Sequence, residues 1–249
     1  MSDMIHISEL FSSIQGEGLL AGRRQIFVRL TECNLDCRYC DTEFGRPENG
    51  MVESSPGSAD LIKIPQPMPL QAITDVVADW QARLPGAHHS VSFTGGEPLL
   101  YADLLARLFP DVRRILPVHL ETNGTMHLAL RQVKPCLDYI SMDMKLPSTA
   151  GCTGQLWDLH ALFLREAQGC TVSVKVVVGD QTDQDEIVRV CEIIAGINRD
   201  TPLFLQPLTL PGGTVGIRVA HLLELQALAS GRLPDVRVIP QMHKLLGAL

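Results

Sequence analysis

An α/β fold, arranged as a partial (βα)6-type barrel of parallel strands, is what this sequence predicts, and three observations carry it. Short apolar runs alternate with stretches of helical periodicity along most of the chain. Such alternation implies parallel strands joined by right-handed crossovers, in too few units for a closed eight-fold barrel. The chemically unusual residues fall just after the apolar runs, where the loops of a parallel barrel converge on one mouth.

The elements follow in order. "RQIFVRL" (24–30) reads as the first strand. "LQAITDVVADWQARL" (70–84) reads as a helix, because Leu70, Ile73, Val76, Val77, Trp80 and Leu84 share one face. "SVSFT" (90–94), "PVHLET" (117–122) and "DYISMD" (138–143) are strands, separated by helices near 99–109 and 126–133. A helix near 155–168 precedes the strand "TVSVKVVV" (171–178). Helices at 184–195 and 217–229 precede the strands "PLFLQ" (202–206) and "DVRVIP" (235–240). Residues 46–69 break the rhythm with five prolines. A structureless stretch of that length reads as a mobile insertion, or as a lid or partner contact beside the neighbouring cysteines. One domain over 1–249 is expected.

Composition removes several classes. With 249 residues, 45% of them hydrophobic, the chain holds enough apolar material for one large core. Its net charge of −7, without a basic stripe, argues against nucleic acid. No apolar run approaches the roughly 18 residues of a membrane span, and "MSDMIHISEL" has no signal-peptide pattern. A cytoplasmic protein with reduced thiols is expected. Seven cysteines, an odd number, do not suggest a disulfide framework.

Three of those cysteines, Cys33, Cys37 and Cys40, form C-x3-C-x2-C directly after the first strand. Structural zinc takes four ligands, usually as two separated pairs. A cubane iron–sulfur cluster is held by thiolates, normally four. Three thiols in one loop therefore suggest a [4Fe–4S] cluster with one iron open, and an open coordination position marks catalysis. Cys136, Cys152, Cys170 and Cys191 are scattered and read as small buried residues. "TGGEP" (94–98), "ETNG" (121–124), "DMK" (143–145) and "QP" (206–207) follow later strands.

The cysteine loop, followed by "GGEP" after the second strand, resembles the radical S-adenosylmethionine (SAM) enzymes. The resemblance implies a partial barrel and a cluster whose open iron is chelated by SAM. Reductive cleavage of SAM then gives a 5′-deoxyadenosyl radical that abstracts a substrate hydrogen. It further implies that Tyr39 packs on adenine, that Cys40 and Asp41 adjoin SAM, and that Gly95 and Gly96 let backbone approach the methionyl amine. Glu97 either orients that amine or hydrogen-bonds its own loop, and Pro98 suits the next helical turn. Ser141, Met142, Asp143 and Gln206 would face the ribose or carboxylate of SAM. Glu121 is a weaker candidate for the same site.

"FSSIQGEG" (11–18), "FVRL" (27–30), "CDT" (40–42) and "QMHK" (241–244) narrow the resemblance to the 7-carboxy-7-deazaguanine synthase family. It implies ring contraction of 6-carboxy-5,6,7,8-tetrahydropterin, with loss of ammonia, on the route to queuosine. Ile14, Gln15, Gly16 and Glu17 would meet the pterin edge. Arg29 would pair with the substrate carboxylate or, alternatively, with an internal acid, since a buried unpaired charge is costly. Thr94 and the terminal carboxylate of Leu249 would touch substrate. Thr42 would adjoin Mg²⁺, although as a residue it reads as a cap. Lys145 and His243 are candidates for the proton transfers. A flavodoxin-type reductant and a homodimer are further implied. Two alternatives stand beside this one: an activase acting on a glycyl-radical enzyme, which "SMDMK" also resembles, and a non-catalytic iron–sulfur electron carrier.

Overall fold

The computed structural model describes residues 3–40, 45–152 and 156–248. Strands β1 (Met4–Ile5) and β2 (Ile7–Ile14) precede β3 (Arg24–Leu30). After the cysteine loop come β4 (Asn49–Glu53), β5 (Leu61–Pro65), β6 (Met68–Pro69) and helix α1 (Leu70–Arg83). The chain then alternates: β7 (Ser90–Gly95), α2 (Ala102–Arg113), β8 (Val118–Thr122), α3 (His127–Val133) and β9 (Tyr139–Asp143). Short α4 (Pro147–Ala150) and α5 (Leu156–Ala167) lead to β10 (Thr171–Val178), α6 (Gln184–Asn198) and β11 (Leu203–Pro207). Helix α7 (Val219–Ser230), β12 (Val236–Val238) and the short α8 (Met242–Leu246) complete it.

One sheet runs in the order β12-β11-β10-β9-β8-β7-β3-β2-β4-β5. From β3 to β12 every neighbouring pair is parallel, with a helix in each connection, so the expected partial barrel of six βα units is present. Beyond β3 the sheet differs from expectation. The N-terminal segment is a long strand, β2, paired antiparallel with β3. Residues 46–69 are not a structureless insertion: β4 pairs parallel with β2, and β5 closes an antiparallel hairpin on β4. Prolines hid these strands. Pro65 ends β5, the outermost strand, where its missing N–H breaks no ladder.

Period-two alternation sorts the strand residues. Val91 and Phe93, Val118 and Leu120, Ile140 and Met142, and Val172, Val174 and Val176 form the buried layer under the helices. Phe93 and Phe109 meet there, ring centroids 4.6 Å apart. Each fully buried side chain of this size contributes about 1.5–3 kcal/mol. The alternate residues turn to the concave face and are mostly polar. Among the described residues, no helix is long and apolar enough to cross a membrane.

Candidate active site

A cavity of about 280 Å³ opens at the carboxyl ends of the parallel strands. Its floor is the inward set of the alternation: Thr94 of β7, Glu121 of β8, Ser141 and Asp143 of β9, Ser173 and Lys175 of β10. Cys33, Cys37 and Cys40 line one side, and Ile14, Gly16 and Glu17 line another. Met142 is not in this group: it is buried on the opposite face, packed beneath Gly124. Three successive strand residues cannot all face one side, so the expectation for 141–143 is corrected to Ser141 and Asp143.

The cysteine loop is held by bonds that do not involve a metal. Asn123 Nδ2 donates to Asn34 Oδ1 (2.8 Å), and Asn34 Nδ2 donates to Thr125 Oγ1 (2.9 Å). The Arg38 amide donates to the Ala150 carbonyl (3.0 Å). Burial pushes the Cys37 thiol up to about 11 and raises Cys33 as well. Such thiols keep their protons until a metal displaces them. Among the described residues, no three Cys, His, Asp or Glu side chains converge on a single-ion position. Cluster thiolates, unlike zinc ligands, bind separate irons and need no such convergence. Three thiols on one cavity wall thus fit a [4Fe–4S] cluster.

Gly95 and Gly96 serve a close approach of backbone to backbone that the sequence reading did not foresee. A Cβ on Gly96 would lie 2.1 Å from the Glu32 carbonyl oxygen, and one on Gly95 would lie 2.3 Å from that of Leu30. The glycines let this loop lie against the backbone that enters the cysteine loop, and both also line the cavity. Glu97 takes the second of its two expected roles. Fully buried, it accepts from the amides of Leu99 (3.0 Å) and Asn123 (2.8 Å) and from Thr122 Oγ1 (2.8 Å). Burial pushes its carboxyl up to about 7. Glu97 is a clamp between two rim loops and does not reach the cavity surface.

Across the floor runs a chain of charges. Lys145 Nζ donates to Asp143 Oδ2 (2.9 Å) and to the Tyr39 hydroxyl (3.1 Å), and it lies 5.1 Å from the centre of the Tyr39 ring. Lys175 Nζ reaches Asp143 Oδ2 (3.1 Å) and Glu17 Oε2 (2.5 Å). Gln206 (3.1 Å) and Gln241 (2.7 Å) donate to Glu17 Oε1. Burial pushes the Asp143 carboxyl up, but the two ammonium groups outweigh it and hold it at about 2. Burial likewise opposes charge on Lys145, yet Asp143 keeps that ammonium well above its usual range, so Lys145 is a poor base. Asp143 Oδ1 and Gln206 Oε1 are buried at this cavity without a hydrogen-bond partner. Two orphaned acceptors fit a ligand rich in hydroxyl and amine donors, as SAM is.

The remaining expected residues divide. Arg29 lines the cavity but pairs with Glu9 (2.6 Å) and lies over the Phe11 ring, so it has the internal acid partner. The Gln15 amide is committed inward: it donates to Gln25 and Glu121 (3.0 Å each) and accepts from the Glu17 amide. Glu121 also accepts from Ser92 and joins a buried network with His119 and Ser141. His243 stands at the rim, its imidazole lowered by burial, so close that a Cβ on Gly16 would lie 2.1 Å from Nδ1. Asp41, Thr42 and Leu249 lie outside the described residues. Of the other cysteines only Cys191 is buried; Cys136, Cys152 and Cys170 are partly exposed. Lys175, His119, Ser92 and Ser173 are unforeseen. Their signal was a polar residue at every second position of an otherwise apolar strand.

Comparisons with known proteins agree with this geometry. Residues 28–150 match the family model of the Radical SAM superfamily. The chain is 50% identical over 244 residues to a 7-carboxy-7-deazaguanine synthase of Geobacter sulfurreducens, covering 98% of this chain and 97% of that protein. It is 35% identical to the synthase of Methanothermobacter thermautotrophicus, covering 97% and 96%. Among solved structures, QueE from Escherichia coli superposes with a TM-score of 0.58 at 20% identity, covering 96% of this chain and 94% of that one, a likeness of fold. These relatives match along nearly the whole length, through both the cysteine loop and the opposite wall of the cavity. The chain belongs to the 7-carboxy-7-deazaguanine synthase family of radical SAM enzymes.

Proposed function

We propose that this chain converts 6-carboxy-5,6,7,8-tetrahydropterin to 7-carboxy-7-deazaguanine with loss of ammonia, as a carbon–nitrogen lyase of queuosine biosynthesis. One observation carries the reading: a single cavity is bounded by the three cluster thiols on one side and by the 14–17 segment on the other. A glycyl-radical activase or an electron carrier would need no such second wall, and the full-length relatives are synthases.

A cluster held by Cys33, Cys37 and Cys40, with its SAM, supplies one-electron cleavage chemistry and hence hydrogen abstraction from the pterin. The chain's own residues do the rest. Asp143 Oδ1 and Gln206 Oε1 accept hydrogen bonds from SAM, and Tyr39 packs beside its adenine. Glu17 accepts from the guanidine-like edge of the pterin. The guanidinium of Arg29 faces the pterin carboxylate while Glu9 orients it, and Thr94 hydrogen-bonds the substrate. Lys145, held protonated, contributes charge and no base. His243, kept neutral by burial, is the group suited to carry a proton during ammonia loss. The same reading includes Mg²⁺ beside Thr42, a flavodoxin-type reductant, a homodimer and a cytoplasmic location.

The test is direct. Anaerobically reconstituted protein, given SAM, reductant, Mg²⁺ and the pterin, is expected to yield an ultraviolet-absorbing deazaguanine and ammonia. The Cys37→Ala variant is expected to lack both the iron and the product. A SAM-responsive cluster with no deazaguanine formed would sink the reading.

A further inference from the structure

Glu17 and Asp143 are two carboxylates on opposite halves of the cavity, and one ammonium touches both. Their side chains and that of Lys175 are only 15–17% exposed, so solvent screens them weakly. Each carboxylate also answers to its own half. Asp143 shares Oδ2 with Lys145, which reaches Tyr39 in the cysteine loop, and keeps Oδ1 unpartnered. Glu17 receives Gln206 and Gln241, the latter from the segment before α8. Tyr39, Lys145, Asp143, Lys175, Glu17 and Gln241 thus form one unbroken polar chain. It runs from the cluster loop to the C-terminal segment.

We infer that Lys175 is a positioning residue that couples the two subsites, so that SAM and pterin each bind more tightly in the presence of the other. The inference rests on the assignment of Asp143 to SAM and Glu17 to pterin in the proposed function. The physical reason is competition for one cation. A donor from SAM at Asp143 Oδ1 spreads that carboxylate's charge and weakens its hold on Lys175. The ammonium then commits to Glu17 and fixes the carboxylate that meets the pterin. Thermodynamic linkage makes the effect reciprocal. Without the ammonium, Glu17 and Asp143 are weakly screened like charges with no cation touching both. Gln206, which donates to Glu17 and is assigned to SAM, then remains as an uncharged link, and most of the coupling is lost.

The experiment measures SAM affinity of the cluster-loaded enzyme in its oxidised, non-reacting state, by anaerobic equilibrium dialysis, with and without the pterin. In the wild type the pterin is expected to tighten SAM at least about fivefold. In Lys175→Met that ratio is expected to fall to within about twofold of one. Lys175→Arg, which keeps the charge, is expected to recover part of it. A residue that served only stability would weaken both ligands and iron content and leave the ratio unchanged. An unchanged ratio in Lys175→Met, or no coupling in the wild type, overturns the inference. If Lys175→Met does not hold its cluster, Lys175→Gln, a neutral donor, replaces it. Failure of both to load decides for a purely structural lysine. Absence of wild-type turnover strikes the proposed function, whereas wild-type turnover with an unaltered ratio strikes the coupling alone.

Discussion

His160, on α5, is fully buried, and both ring nitrogens are used. Nε2 faces the Lys145 amide at 3.1 Å and must accept from it, so Nδ1 carries the proton and donates to the Gly124 carbonyl (3.1 Å). One neutral tautomer therefore ties two rim loops together. A second proton would set two N–H groups against each other, and burial pushes the imidazole down to about 4. The unfolded chain takes up this proton near the ordinary value of 6.5. His160 therefore contributes stability that is complete above about pH 6.5 and lost as pH falls through about 4, on the order of 3 kcal/mol. His88, also lowered to about 4 by burial, titrates in the same window, so the check is a difference. Urea midpoints of His160→Gln are expected to decline less steeply than wild type between pH 6.5 and 4.5; parallel slopes would refute this role. Gly16 is a second single-residue constraint. Its carbonyl accepts from the Met242 amide (3.0 Å), and a Cβ would meet the His243 backbone nitrogen at 2.7 Å. Gly16→Ala must displace α8, and with it Gln241 from Glu17. The pterin KM is expected to rise about tenfold or more, with pterin-independent SAM cleavage changed less than about twofold. At this scale the sequence marked the residue types well and their directions poorly. Met142 and Glu97 belong to the right motifs and point away from the cavity.

The elements that were legible are those whose signal is local. A parallel strand covered on one face by helices is a short apolar run, and a helix packed on it repeats every three or four residues, as in 70–84. The hairpin β4–β5 was illegible because its signals are nonlocal. Glu53 shows why it forms. Its buried carboxylate accepts from the Gly57 (2.9 Å) and Ala59 (2.6 Å) amides and so closes its own turn. It also accepts from the Ser12 amide (2.9 Å) and so attaches the hairpin to β2. No window of sequence smaller than forty residues links Ser12 to Glu53. Glu53→Ala would strand the buried Ser12 amide at roughly 1–3 kcal/mol and release the amides of exposed Gly57 and Ala59 to water. Because these bonds lie at the sheet margin, local opening should absorb the cost. Amide exchange in 49–65 is expected to speed up about tenfold or more, with β7–β10 unchanged. Uniform acceleration across the sheet would show that the hairpin is not a separate unit of stability.

For the whole molecule, the sheet separates two tasks by the pleat. One face, with Val91, Phe93, Leu120, Ile140 and Val174, makes the apolar core; the other, with Thr94, Glu121, Asp143 and Lys175, makes the site. The strands "SVSFT", "YISMD" and "TVSVKVVV" carry that division openly as alternate polar letters. The barrel was readable from their apolar letters alone. The polar ones gained meaning only when the strands stood side by side, since Lys175 finds Glu17 and Asp143 through sheet order, not sequence spacing. This division predicts what metal removal does. The core owes nothing to the cysteine loop, which is fastened by Asn34, Asn123, Thr125 and the Arg38–Ala150 bond. Chelation of the iron should therefore free three thiols without unfolding the sheet, unlike a zinc finger, whose folding is its metal binding. The stripped protein is expected to keep its far-ultraviolet circular dichroism and a cooperative melt, with Tm lower by no more than about 10 °C. At roughly 2–4 °C per kcal/mol for a chain of this size, that limit corresponds to a few kcal/mol of lost binding. Added iron and sulfide should restore the cluster. Collapse of the helical signal on chelation would mean that the cluster is part of the core, and the separation of faces would not describe this molecule.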